Sequence, residues 1–127
     1  MVSLTIVSGD IVSTPADAII TSIGADGSWI GGVNFAIQQA AGSMFHDQLK
    51  AALPLTDGQV VLAVPDTPVY RGAFRSVLFL ADARARPLGE LVLPAFHRAE
   101  QLKMSCVSVP ALRTGAAAGQ YLSLIHI

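Results

Sequence analysis

Gly24-Ala25-Asp26-Gly27-Ser28-Trp29-Ile30-Gly31-Gly32 is the stretch on which the reading of this chain turns. So many small residues in succession read as a loop, because glycine tolerates backbone angles that other residues resist. Before it, residues 18–23 form a short isoleucine-rich run, the pattern of a strand buried on both faces. After it the period changes. Val33, Ala36, Ile37, Ala40 and Ala41 fall at i, i+3, i+4, i+7 and i+8, and Gly42 is a natural C-terminal stop. Such a loop should project from a strand end, where ligands of α/β proteins bind. Unpaired N–H groups and the positive end of the helix dipole at Val33 face it, which suits a phosphate or pyrophosphate held without lysine or arginine. The alternative for the same glycines is tight helix packing alone.

Working outward, strand-like and helix-like segments alternate, the signature of an α/β domain with a largely parallel or mixed sheet. Residues 3–7 read as a first strand ended by Gly9-Asp10. A second helix is expected after Ser43 as its cap, with Met44, Phe45, Leu49 and Ala52 inward and Pro54 at its end. Residues 59–64, 76–81 and 105–109 read as strands, and 65–72 as an irregular connection. Residues 88–103 look helical, with Leu91, Val92, Ala95, Ala99 and Leu102 on one face. An interior proline costs a straight helix about 3 kcal/mol, so Pro94 predicts a kink or a late start. A second loop of small residues follows, Pro110-Ala111-Leu112-Arg113-Thr114-Gly115-Ala116-Ala117-Ala118-Gly119.

Composition sets the class. With 127 residues, one domain is expected. Hydrophobic residues make up 52% and charged residues 13%, with a mean hydropathy of +0.54, which excludes intrinsic disorder. The long uncharged stretch 27–45 is interrupted by glycines, serines, Asn34, Gln38 and Gln39, so it is no bilayer helix. The net charge of -1 supports neither nucleic-acid nor membrane partners. Cys106 is the single cysteine, so no internal disulfide can form. The start lacks the basic and continuously apolar regions of a signal peptide, and a cytoplasmic protein is expected. No P-loop and no Gly-x-Gly-x-x-Gly is present.

Gly9-Asp10-Ile11, Ala16-Asp17-Ala18-Ile19-Ile20, Gly31-Gly32-Val33, Ala36-Ile37, Ala40-Ala41-Gly42 and Pro110-Ala111-Leu112-Arg113-Thr114-Gly115, in this order, resemble a macro domain from about Val2 to Gly119. The resemblance implies a three-layer α/β/α fold with a mixed, largely parallel sheet. It further implies binding of ADP-ribose, free or on an ADP-ribosylated protein, with no cofactor and no metal. On this reading Asp10 accepts a hydrogen bond from the adenine amino group, with the Ile11 backbone beside it. Gly31, Gly32 and Val33 line the diphosphate and distal ribose, and Thr114, Gly115 and Ala116 close over the diphosphate from the other side. An acceptor-only carboxylate suits an amine donor, and small residues admit close backbone approach.

Three departures bear on catalysis. Hydrolytic members carry Asn-x-x-Asn after the second strand, where this chain has Thr21 and Gly24. They often have an aspartate after the glycine pair, where Asn34 stands, and a neutral amide is no general base. An aromatic residue often follows the Thr-Gly region, where Ala116, Ala117 and Ala118 are found. Binding without strong hydrolase activity is therefore the leading reading. A second is an ADP-ribosyl hydrolase or O-acetyl-ADP-ribose deacetylase with an atypical arrangement such as Asp26 and a bound water. A third is a ligand-free macro-like assembly domain. His46 and His97 read as surface residues and Cys106 as a buried, inert thiol. Asp26 reads as a solvated loop charge, Arg84 and Arg86 as solvent-facing, and Trp29 as either a ligand-facing ring or a loop cover.

The tail Leu122-Ser123-Leu124-Ile125-His126-Ile127 matches a sequencing-library adapter read in frame through CTG TCT CTT ATA CAC ATC. The domain is accordingly expected over 1–121, without its last helix and strand. A short terminal strand is the alternative. The intact locus tests this: the same six residues followed by a natural stop would overturn the adapter reading.

Overall fold

Period-two alternation in the two longest strands places apolar side chains on both faces of one sheet. In the computed structural model, residues 3–30, 32–110 and 121–126 are described. They form strands β1 (Ser3–Ser8), β2 (Ala16–Ile23), β3 (Val60–Ala63), β4 (Phe74–Ala81), β5 (Cys106–Pro110) and β6 (Tyr121–His126). The helices are α1 (Val33–Ala41), α2 (Met44–Ala51), α3 (Leu88–Leu91) and α4 (Leu93–Gln101), with a 3-10 turn at Ile11–Ser13. Along β2, Ile19 and Ile23 join one core and Ala18 and Ile20 the other; along β4, Val77, Phe79 and Ala81 oppose Leu78 and Leu80. The first core takes in Val33, Ile37, Phe45 and Leu49 of α1 and α2, and the second Leu91, Ala95 and Ala99 of α3 and α4. This is the expected three-layer α/β/α arrangement. Each fully buried Ile, Leu or Phe contributes about 1.5–3 kcal/mol.

The sheet order is β1-β6-β5-β2-β4-β3. β2 is parallel to both β4 and β5, while β3 is antiparallel to β4 and β6 is antiparallel to both β5 and β1. β1, β5, β2 and β4 therefore share one direction in a mixed sheet. At its amino-terminal edge Asp17 Oδ2 accepts from Ser105 N at 2.6 Å and Cys106 N at 3.0 Å, pinning the start of β5 to β2.

Local signals decided most boundaries. Gly42, at φ +72°, ends α1. Pro94 falls in the first turn of α4, so the stretch 88–103 is two short helices broken at Val92 rather than one. Ser43 precedes α2 but does not cap it through an N–H; its hydroxyl donates to Asp47 Oδ2 at 3.0 Å. Tyr121–His126 pairs with β1 and β5, and Leu124 and Ile125 pack on opposite cores. Leu4 and Ile6 of the edge strand β1 stand in solvent.

Candidate functional site

β2 and β5 are neighbours and parallel, yet the chain leaves them towards opposite sides: β2 through α1 and α2 to β3 and β4, β5 towards β6. Such a switch point is where α/β sheets hold ligands, beyond the carboxyl ends of the strands. The β2–β5 register ends at Ile19–Ser108, whereas that of β2 with β4 continues to Ile23–Ala81. β1 and β5 are both antiparallel to β6, so Gly9 and Asp10 leave the sheet at this same end.

Four of the expected site residues, Asp10, Ile11, Gly32 and Val33, lie on or beside the two elements that pack together here. The 3-10 turn packs against α1, and the side chains of Ile11 and Val33 share a core, which leaves their backbones for the edge. Asp10 is exposed and caps the turn, accepting from Val12 N at 3.1 Å through Oδ1. Gly32 precedes α1 with no side-chain cap, and no acidic residue occupies the first turn. The first helical hydrogen bond runs from Ala36 N to Gly32 O at 3.1 Å, so the amides of Val33, Asn34 and Phe35 have no acceptor within the helix. An uncapped helix start of this kind attracts an anion. Gly31, Thr114, Gly115 and Ala116 lie outside the described residues.

The glycine loop is folded on itself. Gly24 N donates to Ser28 O and Gly27 N to Gly24 O, both at 2.8 Å, and Ile23 bridges to Trp29. Gly27 sits at φ +89°, a left-handed angle that favours glycine. At Gly24 a Cβ would meet Ser28 Oγ and approach Asp26 Oδ1 to 2.8 Å, so both side chains would have to turn aside for a larger residue. The Asp26–Ser28 turn thus fills the space a side-chain amide at position 24 would need. Asp26 accepts from Ser28 N at 2.9 Å, and the Ser28 hydroxyl and amide hold its carboxyl below the usual carboxylate range. A carboxylate stabilised in this way is a poor general base.

Asn34 and His46 are the residues that the sequence reading placed wrongly or incompletely. Asn34 is 0% exposed. Its Nδ2 donates to Ser22 O at 3.1 Å and Ile30 O at 3.4 Å, and its Oδ1 meets His46 Nε2 at 3.2 Å. It ties the end of β2 to the loop just ahead of Gly32. His46, expected on the surface, is 2% exposed: its ring packs 4.7 Å from Trp29 and 5.0 Å from Phe79. The correction has a physical reason, since helix periodicity puts His46 beside Phe45 and its partners come from elements distant in sequence. Burial, then the neighbouring Lys50, lowers the His46 pKa from 6.5, so the ring is neutral at neutral pH. Trp29, 39% exposed, covers His46 with one part of its ring. The only signal that could have found this group was an asparagine directly behind a glycine pair at a helix start.

Of the other candidates, His97 is exposed as expected. Cys106 is half-buried rather than buried as expected; what burial it has, and then Asp17, raise its thiol pKa, which makes it a weak nucleophile. Arg86 pairs with Asp57 at 3.1 Å, and Arg84 is exposed. Asp82, not singled out from sequence, is a buried carboxylate at the end of β4 that accepts from Arg84 N at 2.8 Å. Among the described residues no group of three or more His, Cys, Asp or Glu is placed to hold a metal, and no helix is long and apolar enough to cross a membrane.

Neither a family model nor a curated protein matches the chain. Among solved structures it is similar to the macrodomain of Mycobacterium tuberculosis DarG, with 16% identity and a TM-score of 0.65 over 85% of this chain and 75% of that one. It is equally similar to the macrodomain of Thermus aquaticus DarG, with 16% identity and a TM-score of 0.65 over 88% of this chain and 78% of that one.

Proposed function

We propose that this chain, whose fold is that of a macro domain, binds ADP-ribose, free or carried on a protein, at the β2–β5 switch point. The observation that carries the reading is the uncapped start of α1, with three amides free of helical acceptors, beside Asp10 at the same edge of the sheet. The diphosphate sits against the amides of Val33 and its neighbours, with Gly31 and Gly32 admitting it closely. Thr114, Gly115 and Ala116 close over it from the second loop. Asp10 Oδ1 is engaged with Val12 N, and its other oxygen accepts from the adenine amino group.

Binding without efficient hydrolysis is supported by three features. The Asp26–Ser28 turn occupies the space of a side chain at position 24, Asn34 is consumed by internal hydrogen bonds, and Asp26 is tied to Ser28. The Asn34 amide has no group left for water, and the lowered pKa of Asp26 makes it a weak base. The adenine contact has a direct test. The hypoxanthine analogue of ADP-ribose lacks the amino donor, so the unsubstituted chain is expected to bind it about tenfold more weakly, and Asp10→Ala is expected to lose that preference. Equal affinity of the unsubstituted chain for the two ligands removes Asp10 from the adenine site.

A further inference from the structure

A buried imidazole needs a reason. Between Trp29 and Phe79 the ring has apolar neighbours, yet it leaves its Nδ1 buried and without a hydrogen-bond partner among the described residues. The reason lies at its other nitrogen. Asn34 Nδ2 uses its two hydrogens on Ser22 O and Ile30 O; turning the amide over would set Oδ1 against two carbonyl oxygens. Asn34 Oδ1 is therefore the acceptor at the 3.2 Å contact, and His46 Nε2 must carry the proton. The N–H of the imidazole fixes the amide of Asn34, and the amide fixes Ile30. The Trp29 ring lies tilted against the imidazole, with centroids 4.7 Å apart. One residue of α2 thus holds the two loop residues that stand immediately before Gly31 and Gly32.

We infer that His46 is a positioning residue for the ligand-binding loop: acting through Asn34 and by contact with Trp29, it holds Trp29 and Ile30 in the conformation that presents the start of α1 to the diphosphate. The inference rests on the ADP-ribose reading for its ligand but not for its mechanism. His46 touches no ligand in this account, and its contribution is the geometry of the loop.

Trp29 is the sole tryptophan, so emission excited beyond the absorption of the two tyrosines reports on this loop alone. His46→Leu removes the donor while keeping an apolar side chain, and His46→Gln keeps an N–H near the place of Nε2. His46→Leu is expected to bind ADP-ribose about tenfold more weakly, with Trp29 emission moved to longer wavelength, and His46→Gln to stay within about threefold of the unsubstituted chain with emission unmoved. A merely structural histidine would lower the melting temperature of both variants alike and leave the difference in affinity between them at zero. Equal affinities for the two variants, with emission unmoved in both, overturn the inference. If the unsubstituted chain binds no ADP-ribose, the functional reading fails separately. The emission comparison then decides the positioning role: a red shift in His46→Leu alone supports it, and no shift in either variant overturns it. A further readout needs no substitution: imidazole 15N shifts are expected to show the Nε2–H tautomer at neutral pH, and the Nδ1–H tautomer overturns the inference.

Discussion

Gly32→Glu is expected to weaken ADP-ribose binding by about 100-fold or more, about 2.7 kcal/mol, while leaving the melting temperature unchanged or slightly raised. The separation of the two effects follows from the geometry of one residue. Gly32 stands at φ −91° and ψ −10°, angles that any residue adopts, and a Cβ there meets nothing within 4 Å. The fold therefore tolerates the substitution. A carboxylate at this position lies at the start of α1, where the helix dipole and the three unpaired amides favour negative charge by about 0.3–1 kcal/mol. It competes for the groups that are to receive the diphosphate and repels that diphosphate as well. Calorimetric titration beside thermal unfolding of the same sample checks both halves. Retained affinity in a folded Gly32→Glu chain removes the diphosphate from this loop.

Asn34→Asp gives the opposite separation, a large loss of stability and no gain of catalysis. An ionised aspartate cannot donate to Ser22 O or Ile30 O and sets a buried charge against two carbonyl oxygens. Two hydrogen bonds are lost in a site of 0% exposure, and His46⁺ offsets part of the cost if it protonates beside the new carboxylate. The expected net destabilisation is about 2–4 kcal/mol at neutral pH, or a fall in melting temperature of roughly 10 °C. The deficit shrinks in acid, because a protonated carboxyl again donates one hydrogen bond. Thermal unfolding at several pH values checks this, and an unchanged melting temperature at neutral pH contradicts the role given to Asn34. The aspartate that hydrolytic macro domains often carry after the glycine pair thus has no vacant place here.

These two residues also mark how far the sequence could be read. Local patterns carried the fold. The isoleucine run of β2, the period starting at Val33, the stop at Gly42 and the break at Pro94 each depend on neighbours within a few residues, and each stands close to its expected position. The places of the candidate site residues were legible where backbone sets them: Gly32 and Val33 stand at a helix start, and Asp10 follows β1, as expected. Side-chain pairings across the chain were not legible. The bond between Asn34 and His46 spans twelve positions and two helices, and nothing in either segment marks it. Asn34 read from sequence as an absent aspartate, but in the fold it is a clamp with both ends of its amide engaged. Gly24 read as a missing amide, and the fold adds that Ser28 and Asp26 fill the space where one would stand. Ser43 resembled a cap, yet Asp47 one turn later competed for its hydroxyl.

The most direct measurement is isothermal calorimetry of the unsubstituted chain with ADP-ribose, ADP and AMP. The expected result is saturable heat with ADP-ribose and ADP, and much weaker binding of AMP, which lacks the diphosphate that the start of α1 receives. No heat with any of the three would contradict the claim that the β2–β5 switch point is an ADP-ribose site.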